Sequence, residues 1–366
     1  MIHFVIGTRA QLFKLAPVML ECEKRHLQWR WIYTAQHKDT MEATIKTFGL
    51  PQPDYVVVKW ETEAKTMGKM SQWLIRCMGS LASGKKILAG YRGKKNIIVT
   101  HGDTITTWWA ALLGRLNRTR VMHIEAGMRS GKLFDPFPEE INRIITGWLS
   151  HIHICPDQQS ADNLKRYTGE KVNLTLNTQA DTIAFGLSHC ENDPYVLPEN
   201  KYVVASLHRY ENIFNKDRFT HIISLLELIA KEFTLCVVMH PATVIQIDKL
   251  NLRKRLEDNP NIELIPRLEY LPFIKLIDHS EFVVTDGGGN QEELYFMGKP
   301  TLLFRYATER PDHIGYTTEL SELKESIVQS FMDNYQDYQQ ERKQIDFSPS
   351  EKIVDRLEPF SRLGSS

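Results

Sequence analysis

The 366-residue sequence predicts an α/β protein with two doubly wound domains, and three observations carry this prediction. Short β-branched and apolar runs alternate with helix-length segments along almost the whole chain. The runs lack alternating polar residues, which is typical of parallel strands that helices cover on both faces of a sheet. The chain is also too long for one ordinary hydrophobic core and suits two domains of moderate size.

Twelve segments are predicted as strands, in two series. The first series is IHFVIG, WRWIYTA, YVVVK, NIIVTHGD, RVMHIEA, HIHICP and VNLTL, and the second is YVVASLH, TLCVVMH, IELIP, FVVTDG and PTLLFR. Residues 187–200 between them contain two prolines and no helical period, so we predict a linker there. The predicted Rossmann-like domains then span residues 1–186 and 201–347, followed by a helix in residues 348–366 that could pack back on the first domain.

Composition and charge favour a small ligand. The 45 lysines and arginines balance 45 aspartates and glutamates, so the basic surplus typical of nucleic-acid or membrane-surface binding is missing. No segment has the apolar length of a membrane span, and no signal pattern begins the chain, which predicts a cytoplasmic protein. Five scattered cysteines without a CxxC pair predict buried thiols instead of disulfides or a zinc site.

Polar residues concentrate where the predicted strands end. Ligands of doubly wound sheets bind beyond the carboxyl ends of the strands, so these residues predict one ligand cleft between the two domains. The residues at strand ends are Arg9, Lys14, Asp103, Glu125, His208, His240 and Glu293. The segment FPEEINR adds Glu139 and Arg143, which are spaced to lie on one helix face.

The stretch TDGGGNQEE places three glycines between a predicted strand and a predicted helix. Glycines there let the backbone approach a ligand, and the free N–H groups of the helix start attract an anion such as phosphate. A tight turn without a ligand fits the same residues. The sequence has no Walker, GxSxG or early GxGxxG motif, which disfavours phosphoryl transfer, serine hydrolysis and ordinary dinucleotide binding.

Several candidate residues also have a purely structural interpretation. Asp103 could cap the helix that follows it, and Glu139 with Glu140 could complement a helix dipole. His123 and the aromatic pair at positions 108 and 109 are expected in the core. His208 is different, because an arginine follows it directly, and this arrangement favours phosphate contact or proton transfer over burial.

The motifs resemble those of a known family. GTRAQLFKLAPV, TAQHKDTM, VTHGDTITT, HIEAGMRSG, PFPEEINRIITG, TDGGGNQEE and TERPD are similar, in the same order, to motifs of bacterial UDP-N-acetylglucosamine 2-epimerases. The resemblance covers residues 1 to about 313. It implies the glycosyltransferase-B (GT-B) fold, in which two Rossmann-like domains face each other across a cleft, and a homodimer.

The resemblance also implies a reaction. The C2 proton of UDP-GlcNAc is removed as UDP leaves C1, and the bound 2-acetamidoglucal regains UDP and a proton on the opposite face to give UDP-ManNAc, a cell-surface polysaccharide precursor. No cofactor and no metal is required. Acid/base or catalytic roles are implied for Asp103, Glu125, Glu139 and His208. Substrate or UDP contacts are implied for Arg9, Lys14, Arg143, Arg209, His240, Phe273, Gly287, Gly288, Gly289, Glu293 and Arg310.

The sequence departs from the family pattern at several places. Ala10 and Gln11 replace proline and glutamate, which removes a carboxylate expected near the substrate, and Gly287 replaces a serine. The glutamine-containing activator segment is not recognisable in ETEAKTMGKMS. After TERPDHIG the usual loop and the strand that follows it are absent or reshaped. A hydrolysing enzyme that releases ManNAc and UDP therefore remains an alternative, as do a GT-B glycosyltransferase and a non-catalytic UDP-sugar-binding protein.

Overall fold

The computed structural model of the protein describes residues 1–36, 41–59, 67–133, 137–308, 310–343 and 347–361. These residues form two compact units, Met1–Thr182 with Asp346–Ser366, and Ile183–Ile345. Each unit contains a parallel sheet with helices between successive strands. This confirms the predicted α/β class with two Rossmann-like domains.

The first unit is built on a sheet in which seven strands of the described chain are all parallel. Their order is β3-β2-β1-β4-β5-β6-β7. The bounds are β1 Ile2–Ile6, β2 Trp29–Tyr33, β3 Tyr55–Val56, β4 Ile97–His101, β5 Arg120–Ile124, β6 Ile152–Cys155 and β7 Glu170–Asn173. The strand order reverses between β1 and β4, and at such a point the connections lead to opposite faces and leave a crevice at the carboxyl ends.

Helices pack on this sheet through one apolar face. In α1, for example, the buried residues that form this face recur at helical spacing. The bounds are α1 Arg9–Lys24, α2 Met41–Phe48, α3 Met67–Ser80, α4 Gly84–Ile87, α5 Ile105–Leu116, α6 Glu139–Leu149, α7 Gln158–Asn163 and α8 Gln179–His189. Thr8 caps α1 by accepting the Gln11 N–H, and the Gln11 side chain accepts the backbone N–H of Thr8. This reciprocal cap fixes the first turn of α1 directly after β1.

The second unit has a sheet in which six described strands are parallel, in the order β10-β9-β8-β11-β12-β13. Its strands are β8 Tyr202–Ser206, β9 Thr234–Met239, β10 Ile262–Pro266, β11 Val283–Thr285, β12 Thr301–Leu303 and β13 Thr318–Leu320. Its helices are α9 Tyr210–Ile213, α10 Lys216–Ile229, α11 Pro241–Lys249, α12 Arg253–Glu257, α13 Tyr270–Asp278, α14 Gly288–Met297 and α15 Glu325–Asn334. The order reverses between β8 and β11. Because these two strands are parallel neighbours, their carboxyl ends lie side by side.

All twelve predicted strands are present, and β13 is one more. The strand after TERPDHIG, expected to be absent or reshaped, is present as β13, which pairs in parallel with β12 through Thr301–Thr318 to Leu303–Leu320. β13 has only three residues, of which Glu319 and Leu320 are partly exposed. A short edge strand of this kind leaves no apolar run for a sequence pattern to detect.

The segment predicted as a linker begins inside a helix. Helix α8 continues to His189, and a 3₁₀ turn follows over Cys190–Asn192. Ile183, Gly186 and Cys190 are buried at helical spacing, which carries the apolar stripe past residue 187. From Asp193 to Asn200 the chain has neither helix nor strand.

The C-terminal helix α16, Pro349–Ser361, packs on α1 in the first unit. Arg25 of α1 donates to Asp355 Oδ1 at 2.6 Å and to Glu358 Oε1 at 3.1 Å. At the start of α16, Ser348 Oγ accepts the Glu351 N–H and so caps the helix.

Two further predictions from composition have an outcome in the structure. The five cysteines are buried free thiols, as predicted, and burial raises the pKa of Cys22 and of Cys236 to about 12. Within the described ranges, no helix combines the length and apolar character that a bilayer crossing requires.

Asp181 provides a test of how α16 is anchored. Its Oδ2 accepts the Ser350 N–H at 2.7 Å and the Ser350 hydroxyl at 2.6 Å. We expect Asp181→Ala to lower the free energy of unfolding by about 1 to 2 kcal/mol, because a partly buried N–H and a hydroxyl lose their acceptor. Asp181→Asn keeps an acceptor oxygen and is the matched control. Urea denaturation curves measure both, and an equal loss in the two variants would contradict the assigned bonds.

Candidate functional site

Gln11 joins the ends of β1 and β4 in the first unit. It is buried, its Oε1 accepts the N–H of Gly7 at 2.9 Å, and its Nε2 donates to the His101 carbonyl at 2.7 Å. Nε2 also contacts the hydroxyls of Thr104 and Thr107 at 3.1 Å. Both the oxygen and the nitrogen of the Gln11 amide are therefore hydrogen-bonded within the protein. The glutamine that replaces a family carboxylate therefore links the two strand ends at this place.

Asp103 follows β4 and is held by helix α6. Arg143 donates to Asp103 Oδ2 from Nη2 at 2.6 Å and from Nε at 3.0 Å, and Asn142 Nδ2 donates to the Asp103 carbonyl at 2.8 Å. Asp103 is not the cap of α5, because that position belongs to Thr104. The fold thus places Asp103 as one partner of a charge-assisted pair.

The adjacent glutamates of α6 have different surroundings. Glu140 is buried, and its Oε2 accepts the Ser130 N–H and a bond from Arg143 Nη1, both at 3.2 Å. Glu139 Oε2 is buried without a hydrogen-bond partner among the described residues. The predicted helix face with Glu139 and Arg143 is present, but Arg143 pairs with Glu140 and Asp103. Of the two glutamates, Glu139 is the one with an uncommitted carboxylate oxygen.

Glu139 and Asp103 line one pocket of about 690 Å³ in the first unit. Its walls are mostly apolar and come from Met70, Leu74, Ile105, Trp108, Phe137, Pro138, Ile141 and Ile145. Trp109 is fully buried as predicted, and Trp108 is half-buried, packs against the same core cluster and also lines this pocket. Two carboxylates against apolar walls form an environment in which proton transfer is efficient.

Glu125 follows β5 in a left-handed conformation with φ of +63°. Its Oε1 accepts from Lys14 Nζ at 2.5 Å and from Asn177 Nδ2 at 2.6 Å. Burial alone would raise its pKa, but Lys14, His101 and Asn177 outweigh burial and lower the pKa to about 2. Glu125 is therefore a carboxylate at neutral pH that holds Lys14 in place.

Two buried histidines lie beside Glu125. His101 Nε2 is 3.7 Å from Glu125 Oε2 and has no hydrogen-bond partner among the described residues, and burial lowers the pKa of His101 to about 4. His123 Nε2 donates to the Gly102 carbonyl at 2.7 Å, and burial lowers its pKa to about 3. His123 is a core histidine, as predicted. Arg9 begins α1, with its guanidinium carbon 5.0 Å from the centre of the Phe13 ring.

The second unit has its own set of strand-end residues, organised by Asp286. This aspartate follows β11 and is fully buried. It accepts the N–H groups of His208 and Arg209 at 2.9 and 3.1 Å, and Asn212 Nδ2 at 3.0 Å. These bonds fix the backbone after β8 next to the end of β11. The Arg209 side chain extends to Glu211, with Nε 2.6 Å from Oε1.

His208 and His240 lie next to each other at the ends of the neighbouring strands β8 and β9. Their ring centres are 4.7 Å apart with the planes tilted by 37°. His240 Nε2 is 3.0 Å from Ser206 Oγ, and Asn290 Nδ2 lies 3.4 Å from the same hydroxyl. The structure therefore brings together the two histidines that the sequence placed at separate strand ends.

The three glycines stand where the sequence predicted them. Gly287 is the N-cap of α14, and it makes no side-chain cap bond, while Gly288 and Gly289 form the first turn. Gly289 is exposed and nothing lies within 4 Å of where its Cβ would be. The helix start consequently presents backbone that is uncovered at Gly289, which is the arrangement that anions favour.

The remaining predicted contacts lie on α13, on α14 and after β12. Arg310 donates to Glu292 Oε2 at 2.6 Å, and its carbonyl accepts Gln291 Nε2 at 3.2 Å. Glu293 is buried. The burial of Tyr270, and next to it the charge of Glu293, raise the pKa of the Tyr270 hydroxyl. Phe273 lies half-buried on α13. The loop of Arg310 is thus fastened to α14.

Sequence reasoning missed several residues that hold the site together. They are Asn142, Asn177, Ser206, Asp286 and Asn290. Asp286 and Asn290 lie inside the quoted glycine motif, so their position was a usable signal. Asn177 reaches Glu125 from beyond β7, and only the adjacency of strand ends in the folded sheet could reveal that contact.

Comparisons with known proteins agree on one family. A sequence model of the family described as UDP-N-acetylglucosamine 2-epimerase matches residues 20–357. The probable UDP-N-acetylglucosamine 2-epimerase of Ralstonia solanacearum is 31% identical over 325 residues, which cover 85% of this chain and 83% of that protein.

Solved structures are also similar. The UDP-GlcNAc 2-epimerase from Methanocaldococcus jannaschii matches with a TM-score of 0.80 and 26% identity, over 97% of this chain and 99% of that chain. The UDP-GlcNAc 2-epimerase from Neisseria meningitidis bound to UDP-GlcNAc matches with a TM-score of 0.77 and 27% identity, over the same shares.

The Glu125 cluster predicts a pH dependence of stability. A carboxyl whose pKa is lowered on folding contributes stability above its unfolded pKa, and this stability is lost as the pH falls towards the folded value of about 2. Between about pH 6 and about pH 3.5 we expect the wild type to lose about 1.4 kcal/mol through this group. Urea denaturation followed by tryptophan fluorescence measures the loss. Glu125→Gln lacks this component, so an equal pH slope in both proteins would refute the assignment.

Proposed function

The chain belongs to the UDP-N-acetylglucosamine 2-epimerase family, and from this premise we propose that it interconverts UDP-GlcNAc and UDP-ManNAc without net hydrolysis. The observation that carries the proposal is the buried Glu139 oxygen without a hydrogen-bond partner among the described residues, in an apolar-walled pocket that Asp103 also lines. C2 carries the acetamido nitrogen, and its C–H is a very weak acid, so removal of this proton requires a desolvated base of this kind.

In the proposed reaction Glu139 removes the C2 proton while the bond between C1 and the UDP oxygen breaks, which gives 2-acetamidoglucal and UDP. Asp103, which carries a proton taken from solvent, gives that proton to C2 on the opposite face when UDP adds back to C1, and Glu139 releases its proton to solvent. Arg143 holds Asp103 through two bonds to one oxygen, which leaves Oδ1 for this exchange. Glu125 stays ionised and orients Lys14, whose ammonium group together with Arg9 stabilises the departing diphosphate.

The second unit is proposed to bind the nucleotide. The N–H groups of Gly288 and Gly289 at the start of α14 suit a diphosphate, and Arg209, His240 and Arg310 add positive or donor groups. Phe273 and Glu293 are proposed to contact the uridine portion, with Glu293 at the ribose. His208 is proposed to assist the departure and return of UDP. The epimerase bound to UDP-GlcNAc from Neisseria meningitidis supports this class of ligand.

The same proposal includes two properties that the resemblance implies. We propose a homodimer and a cytoplasmic location, where the nucleotide sugar is made available for polysaccharide precursors. Light scattering after gel filtration tests the first property, and fractionation of the source cells tests the second.

Two substitutions test the acid/base assignment. We expect Glu139→Gln and Asp103→Asn each to lower kcat by roughly 10³-fold, because the amides keep the shape of the side chains but cannot exchange the proton. UDP affinity by calorimetry is expected to change little. Glu42→Gln, on the exposed face of α2, is the matched control. Wild-type turnover in either site variant would refute the role of that residue.

Proton NMR in deuterated water tests the outcome of the reaction. The purified protein is incubated with UDP-GlcNAc, and we expect UDP-ManNAc that carries deuterium at C2, because the reprotonating group exchanges with solvent. Free ManNAc with released UDP would identify the hydrolysing reaction instead. If neither product nor exchange at C2 is observed, the proposed substrate is wrong.

A further inference from the structure

Gly287 has an ordinary backbone conformation. Its φ of −83° and ψ of 125° lie in the extended region, which any amino acid adopts. The backbone therefore does not require glycine here, in contrast to Gly298 at the other end of α14, which has φ of +66°. The absence of a side chain at this position therefore has a reason other than backbone conformation.

The His208 ring occupies the space of that side chain. A Cβ on residue 287 would lie 2.8 Å from His208 Cε1 and 3.4 Å from Nε2. Carbon atoms that are not bonded do not approach to 2.8 Å, because contact is optimal near 3.5 to 4.0 Å. A side chain at position 287 would thus displace the ring by several tenths of an ångström or more.

His240 bounds the other side of the ring. The two ring centres are 4.7 Å apart, and His240 is held through Ser206 Oγ, which Asn290 also contacts. The backbone of His208 is fixed separately by the bond from its N–H to Asp286. We call the space between Gly287 and His240 the ring slot.

We propose that Gly287 is a positioning residue that sets the place of the His208 imidazole, and that its contribution passes through His208 and not through a contact with UDP. The inference rests on the proposed function, in which His208 assists the departure of UDP. Any residue with a Cβ at this position would have to displace the histidine ring from the place that it has in this chain. Gly287 is therefore a specific determinant of the catalytic geometry of this protein.

Gly287→Ala tests the proposal with the smallest possible addition. The ring is the movable partner in the contact, so the variant is expected to fold, which circular dichroism checks. We expect kcat to fall by roughly 10- to 100-fold, since a displacement of about 1 Å can have that effect. We expect the Kd for UDP from calorimetry to stay within about threefold. Gly79→Ala, on α3 with nothing within 4 Å of the added atom, is the matched control.

A double-mutant cycle with His208→Ala separates the two routes. If Gly287 acts through the ring, Gly287→Ala has no further effect on kcat in the His208→Ala background. An equal loss in both backgrounds, or a UDP affinity that falls as much as kcat does, would overturn the proposal in favour of a direct UDP contact.

A measurement without turnover keeps this inference separate from the proposed function. The imidazole signals of His208, identified by their loss in His208→Ala, are expected to shift in Gly287→Ala and to stay in place in Gly79→Ala. His240→Ala opens the opposite side of the slot without adding an atom and is expected to shift the same signals. Unchanged signals in both slot variants would overturn the inference, whereas shifted signals in a protein without epimerase activity would overturn only the proposed function.

Discussion

A carboxylate at the edge of an apolar interior requires a cation or hydrogen-bond donors close to it, and this constraint organises the strand ends of both sheets. In the first unit Glu125 is bound by Lys14, and Asp103 by Arg143. In the second unit Asp286 is compensated by backbone N–H groups and an amide. The helices that carry these donors are thereby fixed to the strands, and the site residues are fixed with them.

Glu139 is an exception to that rule. Its neighbour Glu140 is compensated by Arg143 and a backbone N–H, whereas a buried oxygen of Glu139 has no partner among the described residues. A buried oxygen without a partner reduces the stability of the fold, and such a cost is expected at functional sites. His208 is flanked by Gly287 and His240, and its Nδ1 lies 3.7 Å from Asp286 Oδ1.

The fold was largely predictable because parallel strands buried on both faces have a continuous apolar pattern, as β8 and β9 do. The strand β13 was not predicted, because an edge strand of three residues has no such pattern. The family was predictable because its motifs cluster at strand ends, where chemistry restricts the residue types. The second contact of Trp108, with the pocket, was not predictable because helical spacing alone does not distinguish a core position from a pocket wall.

The sequence by itself determined the class of fold, the family and the set of residues that carry polar chemistry, since each depends on local pattern and residue type. Only the tertiary structure decided how those residues divide their roles. Which of two adjacent glutamates is left uncompensated, why Gln11 belongs to the fold, and why residue 287 is glycine all depend on groups that are distant in the chain. Contacts of that kind arise from packing between strands, and no local pattern contains them.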